Sequence, residues 1–239
     1  MNWLFLSTAL LLAGFVQGLT GFGFGLVTMS LLPLAIGLKP AAAVSTIFTL
    51  MATTVTFFRH WREYQWRLGF AFLCCVGVGV PIGVFFLEKA NEALLVKGLG
   101  VTMLLFDGRE FLFPGEAKSV PRPLVAPLGL FSGALSGAFN LGGIPSAAYA
   151  YSNSWSRGQI MAFLQVMILL SCTLRIGFYG RFGYFRELSP VWIVLMAAPV
   201  YGTIWLGHLV LERVHPQHMR RGVFGFIGLA GVYYLFLHR

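Results

Sequence analysis

The first apolar block of this chain runs from about Trp3 to Gly37 without a charged side chain. As one helix it would be about 50 Å long, against roughly 30 Å of hydrocarbon in a bilayer. A block this apolar belongs in a membrane, and one this long cannot be a single span. The helix must therefore break, and LTGFGFG (19–25) is where a break is expected. There Gly21, Gly23 and Gly25 alternate with Phe22 and Phe24. Each glycine inside a helix costs about 1 kcal/mol relative to alanine.

The rest of the chain has the same character. Of 239 residues, 57% are hydrophobic and 10% charged, where a soluble domain carries about 25% charged residues. No strand-like alternation is present, so the spans are helical rather than the staves of a β-barrel. The net charge of +9 is scattered through short loops. That fits the cytoplasmic bias of Lys and Arg better than a nucleic-acid surface. Cys74, Cys75 and Cys172 lie in apolar runs with no metal-ligand spacing and read as packing residues. MNWLFLSTALLLAG has no basic residue ahead of its apolar core, and hydrophobicity continues to about Ile36, so it is expected to be a retained first helix.

Further spans are expected at about 41–58, 68–87, 93–106, 159–179, 190–211 and 222–237, with a second interrupted block at about 124–155. RHWREYQWR (59–67) reads as an interfacial loop. DGREFLFPGEAKSVPRP (107–123) is the most polar stretch and the expected linker. The fold expected is an all-α integral membrane protein of about eight transmembrane helices. It is read as two homologous four-helix repeats (1–106 and 124–239, with the linker at 107–123), each opening on a broken Gly-rich helix. LTG (19–21) matches LSG (135–137) and Arg59 matches Arg175 at an offset of 116; LEK (87–89) matches LER (211–213) at 124. Internal repeats with interrupted helices at matching places point to the binding site of a secondary transporter.

Gly14, Gly18, Gly21 and Gly25 share one helical face, as do Gly129, Gly133 and Gly137. Small residues on one face let membrane helices approach closely, within one chain or between two copies, which allows a homo-oligomer. That reading leaves Gly23 unexplained, and NLGGIP (140–145) still more so. Pro145 cannot continue a regular helix, and irregular backbone at depth survives only when buried in protein or lining a cavity. The sharper expectation is that the two breaks face each other and cradle an anion at helix ends. The candidate binding residues are Gln17, Thr20, Gly21, Gly23 and Gly25 at the first break, Ser136, Gly137, Asn140, Gly142 and Gly143 at the second, and Gln165 in the sixth span. Thr20 and Ser136 are read as repeat mates. For each hydroxyl the alternative is a bond to its own helix one turn back. Lys39, Arg157 and Arg175 are either snorkelling span ends or charges at a pathway mouth.

At these residues a family resemblance emerges. GLTGFGFGLVTMSLLPLAIGLKPAAAVST (18–46) resembles the amino-terminal signature of the TauE/SafE sulfite exporter family, and GALSGAFNLGGIPSAAYAYSNSWSRGQIMA (133–162) its carboxy-terminal counterpart. The first half departs from the fuller glycine run common in the family, whereas Gly142, Gly143 and Pro145 are close to it. The resemblance implies export of small, mainly sulfur-containing anions such as sulfite, sulfonates or sulfoacetate. The expected location is the bacterial inner membrane, with the bilayer and the anion as partners and no cofactor, metal or nucleic acid.

An integral-membrane enzyme and a membrane scaffold are the competing classes. Against the first, the chain has no His-rich metal motif and no Ser-His-Asp order, and His215 and His218 sit in a basic turn. Against the second stand Asn140 and Pro145 at depth. No Asp or Glu is expected near the middle of a span, so transport is expected to run on potential and concentration without a carboxylate proton carrier. Eight crossings with the first end inside would put ten Lys and Arg inside and seven outside.

Overall fold

The computed structural model describes residues 3–67, 69–112, 120–186, 188–211 and 225–237. Among them every regular element is helical: α1 (Trp3–Thr20), α2 (Phe24–Leu31), α3 (Pro33–Ile36), α4 (Leu38–His60), α5 (Phe70–Lys89), α6 (Glu92–Leu112), α7 (Arg122–Phe139), α8 (Gly143–Tyr151), α9 (Arg157–Phe182), α10 (Pro190–Leu211) and α11 (Gly225–Phe236). Five helices among the described residues are long and apolar enough to cross a membrane: α1, α4, α5, α9 and α10. The chain is thus an all-α, multi-pass membrane protein.

Both breaks exist, and each has a local cause. Between α1 and α2, Gly21 and Gly23 take φ of 76° and 118°, a region that side chains rarely enter. Gly25 lies past the break, inside α2. At the second break Asn140 ends α7 at φ 58°, ψ 27°. It is the non-glycine residue with positive φ among the described ones, and asparagine tolerates that conformation better than most side chains. α8 starts at Gly143 with Pro145 in its first turn, where a missing N–H removes no helical bond.

The chain forms two compact units, neither of which is a half of the sequence. The first takes Met1–Ala41, Lys89–Gly115 and Leu188–Arg239, and so holds α1–α3, α6, α10 and α11. The second takes Ala42–Glu88 and Glu116–Glu187, and so holds nearly all of α4 together with α5, α7, α8 and α9.

Glycine faces hold each unit together. In the first, a Cβ on Gly18 of α1 would strike the carbonyl oxygen of Ile204 on α10, one on Gly14 would strike Thr203 Oγ1 and lie 3.1 Å from Val200 O, and one on Gly207 would strike Phe15 O. In the second, Gly133 and Gly137 of α7 stand in the same way against Val76 and Val80 of α5, and Gly83 against Ala134. The two sets correspond one to one, at an offset of 119 along α1 and α7 and of 124 along α5 and α10. The glycine stripes therefore pack within the chain.

Two expectations change. α6 continues through Leu112 and α7 begins at Arg122, so helix occupies both ends of the stretch read as linker; 113–119 lie outside the described residues. α6 runs through Gly108 without ending and so includes Asp107, whose carboxylate lies against Gly228 of α11. Asp107 thus lies inside α6, a helix of the first unit that is not one of the five named above as apolar enough to cross a membrane. The turn carrying His215 and His218 lies outside the described residues.

Candidate functional site at the helix breaks

In the second unit the break is a buried polar centre. Asn140 is 8% exposed. Its side-chain Nδ2 donates to Ser45 Oγ at 2.7 Å and to Thr49 Oγ1 at 2.9 Å, two hydroxyls one turn apart on α4. Its backbone N–H closes α7 onto Ser136 O at 3.0 Å. The α8 side of the break is tied down separately. Ser132 Oγ donates to Gly142 O at 2.8 Å and lies 2.7 Å from Ser146 Oγ. A Cβ on Gly142 would collide with Ser132 O and Ser136 Cβ, so this close approach requires glycine. Phe72 stacks on Tyr149 at 4.4 Å between centroids, and Trp155 and Phe163 pack edge-on against Tyr149 or one another, which fixes α8 against α5 and α9.

The first break satisfies itself differently. Gln17, 1% exposed, donates from Nε2 to Gly21 O at 3.2 Å and accepts at Oε1 from Phe24 N at 3.1 Å. One amide therefore bridges the end of α1 and the start of α2, and takes the N–H that a bound anion was expected to take. Thr20 Oγ1 bonds back to Val16 O at 2.9 Å and also meets Phe22 O, the local alternative for such a hydroxyl. Cap geometry pairs Gly21 with Asn140 and Gln17 with Ser136, because Gly21 N closes on Gln17 O as Asn140 N closes on Ser136 O. The pairing of Thr20 with Ser136 is thereby displaced by three residues, just under one turn.

The three basic candidates part company. Lys39 is half-buried in the first turn of α4, and Arg157 is exposed at the start of α9, behind a capping box formed by Ser156 and Gln159. Arg175 is 0% exposed and does not snorkel. Its Nη2 lies 3.1 Å from Cys172 Sγ and its Nε donates to Ser171 O at 3.4 Å. Its sequence mate Arg59 is exposed. With the helix starts aligned, Leu38 on Arg157, Arg175 falls instead on buried Thr56. Gln165 is fully buried in α9, and Gly137 is packed against α5.

The sequence matches the family model described as "Sulfite exporter TauE/SafE" over residues 6–234, nearly the whole chain. The chain belongs to the TauE/SafE family. It is similar to the "Probable sulfite/organosulfonate exporter TauE" of Cupriavidus necator, with 27% identity over 231 residues, 91% of this chain and 88% of that protein. No solved structure matches it. TauE/SafE proteins are transporters, so this chain is a membrane transporter handling small anions rather than an enzyme. Among the described residues no group of three His, Cys, Asp or Glu could hold a metal ion.

Sequence reasoning missed the partners that this TauE/SafE chain gives Asn140. Ser45, Thr49, Thr53 and Thr56 are all buried and recur at helical spacing along α4. That polar stripe in an otherwise apolar span was a readable signal. Ser132 and Ser146 carried no such signal, since each is an ordinary hydroxyl until the break folds α8 back onto α7. On the turn after α9, Tyr184 donates its hydroxyl proton to Glu88 at the end of α5. Burial raises the Tyr184 hydroxyl far above the ordinary tyrosine range, and the neighbouring Glu88 carboxylate adds to the rise.

Proposed function

We propose that this chain is an exporter of small sulfur-containing anions of the sulfite or sulfonate type in the bacterial inner membrane, and that the second break carries its substrate contacts. The observation that bears most weight is the Asn140 centre. An amide in left-handed backbone at membrane depth, held by Ser45 and Thr49, is a costly feature that simple packing does not need. Both Nδ2 protons go to Ser45 and Thr49, so the donor this centre would offer an anion is the Thr49 hydroxyl that the amide positions. The first break is a weaker candidate, because Gln17 already occupies Phe24 N.

The Cupriavidus relative, a probable sulfite/organosulfonate exporter, favours sulfite or an organosulfonate as cargo. An inside-negative potential drives a monovalent anion outward by about 2.3 kcal/mol per 100 mV, so export needs no further energy source in this reading. The matched glycine contacts of α1 with α10 and of α7 with α5 support an internally duplicated architecture of about eight spans in which the two repeats exchange a helix.

The test is sulfite and sulfonate flux in liposomes holding the purified chain, with imposed potentials and pH gradients, for wild type and Asp107→Asn. Potential-driven sulfite flux that survives Asp107→Asn is expected. Flux that ignores potential, follows the proton gradient and disappears in Asp107→Asn would overturn the uncoupled mechanism. Absence of flux for every sulfur anion would overturn the substrate class.

A further inference from the structure

Arg175 poses a question that the breaks do not answer. It lies on α9 seven residues before the helix ends at Phe182, about 10 Å of helix, with no solvent exposure. A cation at such depth is costly and marks an ion pathway unless it is paired. Arg175 has no carboxylate partner among the described residues. Its Nε and Nη2 are engaged by Ser171 O and Cys172 Sγ, and Nη1 is buried without a partner. Its surroundings are polar but neutral. The Tyr179 hydroxyl sits against the guanidinium and donates to Gly137 O at 2.9 Å. That bond ties Arg175's side of α9 to the last turn of α7, three residues before Asn140. Cys172 and Tyr179 are as fully buried as the arginine.

We propose that Arg175 is the charge-bearing contact of an anion subsite inside the second unit, taking a small oxyanion such as inorganic sulfite on the guanidinium edge that the protein leaves unpartnered. The proposal rests on the transport function argued above and names the charge that function requires. Guanidinium suits the task because its planar fork meets two oxygens of one anion and stays protonated in a dry site. Tyr179 holds the guanidinium beside the α7 end. An anion at Nη1 supplies the counter-charge that is missing among the described residues.

The experiment compares wild type, Arg175→Lys and Arg175→Gln in proteoliposomes, with inorganic sulfite as cargo, and measures half-saturation and maximal flux. Melting temperature of each protein in detergent is recorded with sulfite and with chloride at equal ionic strength. The expected result is at least a tenfold loss of flux in Arg175→Gln without a lower melting temperature in chloride, since a buried unpaired cation has been removed. Arg175→Lys is expected to keep part of the flux at a raised half-saturation. Sulfite is expected to raise the melting temperature of wild type and not that of Arg175→Gln. A folded Arg175→Gln with wild-type half-saturation overturns the subsite and leaves the transport function standing. If wild type moves no sulfite, the transport function fails, and the melting shift decides the subsite alone. A sulfite-specific rise lost in Arg175→Gln keeps it, and no rise in wild type overturns it.

Discussion

Asn140 Nδ2 lies 2.7 Å from Ser45 Oγ, joining the end of α7 to the first third of α4 across 95 positions of sequence. The residue does two jobs, and substitutions separate them. Its backbone needs a left-handed conformation, which costs most side chains about 1–2 kcal/mol and glycine nothing. Its amide needs Ser45 and Thr49. Asn140→Gly keeps the backbone but takes the amide away from Ser45 and Thr49, so it is expected to melt lower than wild type, though less so than Asn140→Ala, while cutting sulfite flux at least tenfold. Asn140→Ala is expected to lose both flux and stability. Melting curves beside liposome flux check this; an Asn140→Gly protein with full flux would reduce the amide to a structural tie.

Gln17 has the opposite profile. Its amide caps both sides of the first break, so Gln17→Ala strands the buried Phe24 N and removes one bond from half-buried Gly21 O. A stranded buried group costs about 1–3 kcal/mol. The expected outcome is a marked fall in melting temperature with an unchanged half-saturation for sulfite in the protein that survives. A changed half-saturation at wild-type stability would move the substrate contacts to the first break.

Much of this architecture is legible in the sequence. Membrane helices, both interruptions and a packing role for Gly14, Gly18, Gly129 and Gly133 follow from local pattern, because bilayer thickness and the cost of glycine and proline act on short stretches of chain; that those glycines pack within one chain does not. Which helix receives each glycine face is not legible. That depends on complementary backbone surfaces, and α1 finds its match in α10 rather than in α5. Arg175 escapes for a related reason. A basic residue near a span end looks like an anchor unless the packing around it is known, and the burial comes from Tyr179, Cys172 and the last turn of α7. Asp107 misleads because a polar run holding Gly108 resembles a linker, whereas a single glycine weakens a helix without ending it, and α6 continues to Leu112.

Tyr184 gives a pH prediction. Its hydroxyl has an ordinary value of 10.0 when unfolded and a raised one when folded, through burial first and then Glu88. A raised folded value means that the stability from the neutral phenol is complete below about pH 10. It drains as pH rises beyond that, since the unfolded chain ionises first. Tyr184→Phe removes this group and its bond to Glu88. The variant is expected to melt lower than wild type at pH 7 and to show a shallower loss of melting temperature between about pH 9 and 11. Parallel curves for the two proteins would remove Tyr184 from the alkaline transition.

The glycine contacts make the sharpest test of the two helix pairs. A Cβ on Gly18 would meet Ile204 O and one on Gly137 would meet Val80 O, in each case backbone that cannot swing aside. A Cβ on Gly77 of α5 or Gly202 of α10 would have nothing within 4 Å. Alanine at Gly18 or Gly137 must push two helices apart, at a cost of about 1–3 kcal/mol. Alanine at Gly77 or Gly202 gains helix propensity of about 1 kcal/mol. Gly18→Ala and Gly137→Ala are therefore expected to lower the melting temperature by similar amounts, and Gly77→Ala and Gly202→Ala to hold or raise it. The correspondence makes a further demand. Because Gly18 and Gly137 occupy matching places, a large loss at one beside indifference at the other would break the equivalence of the α1–α10 and α7–α5 pairs, and with it the case for duplicated repeats that exchange a helix.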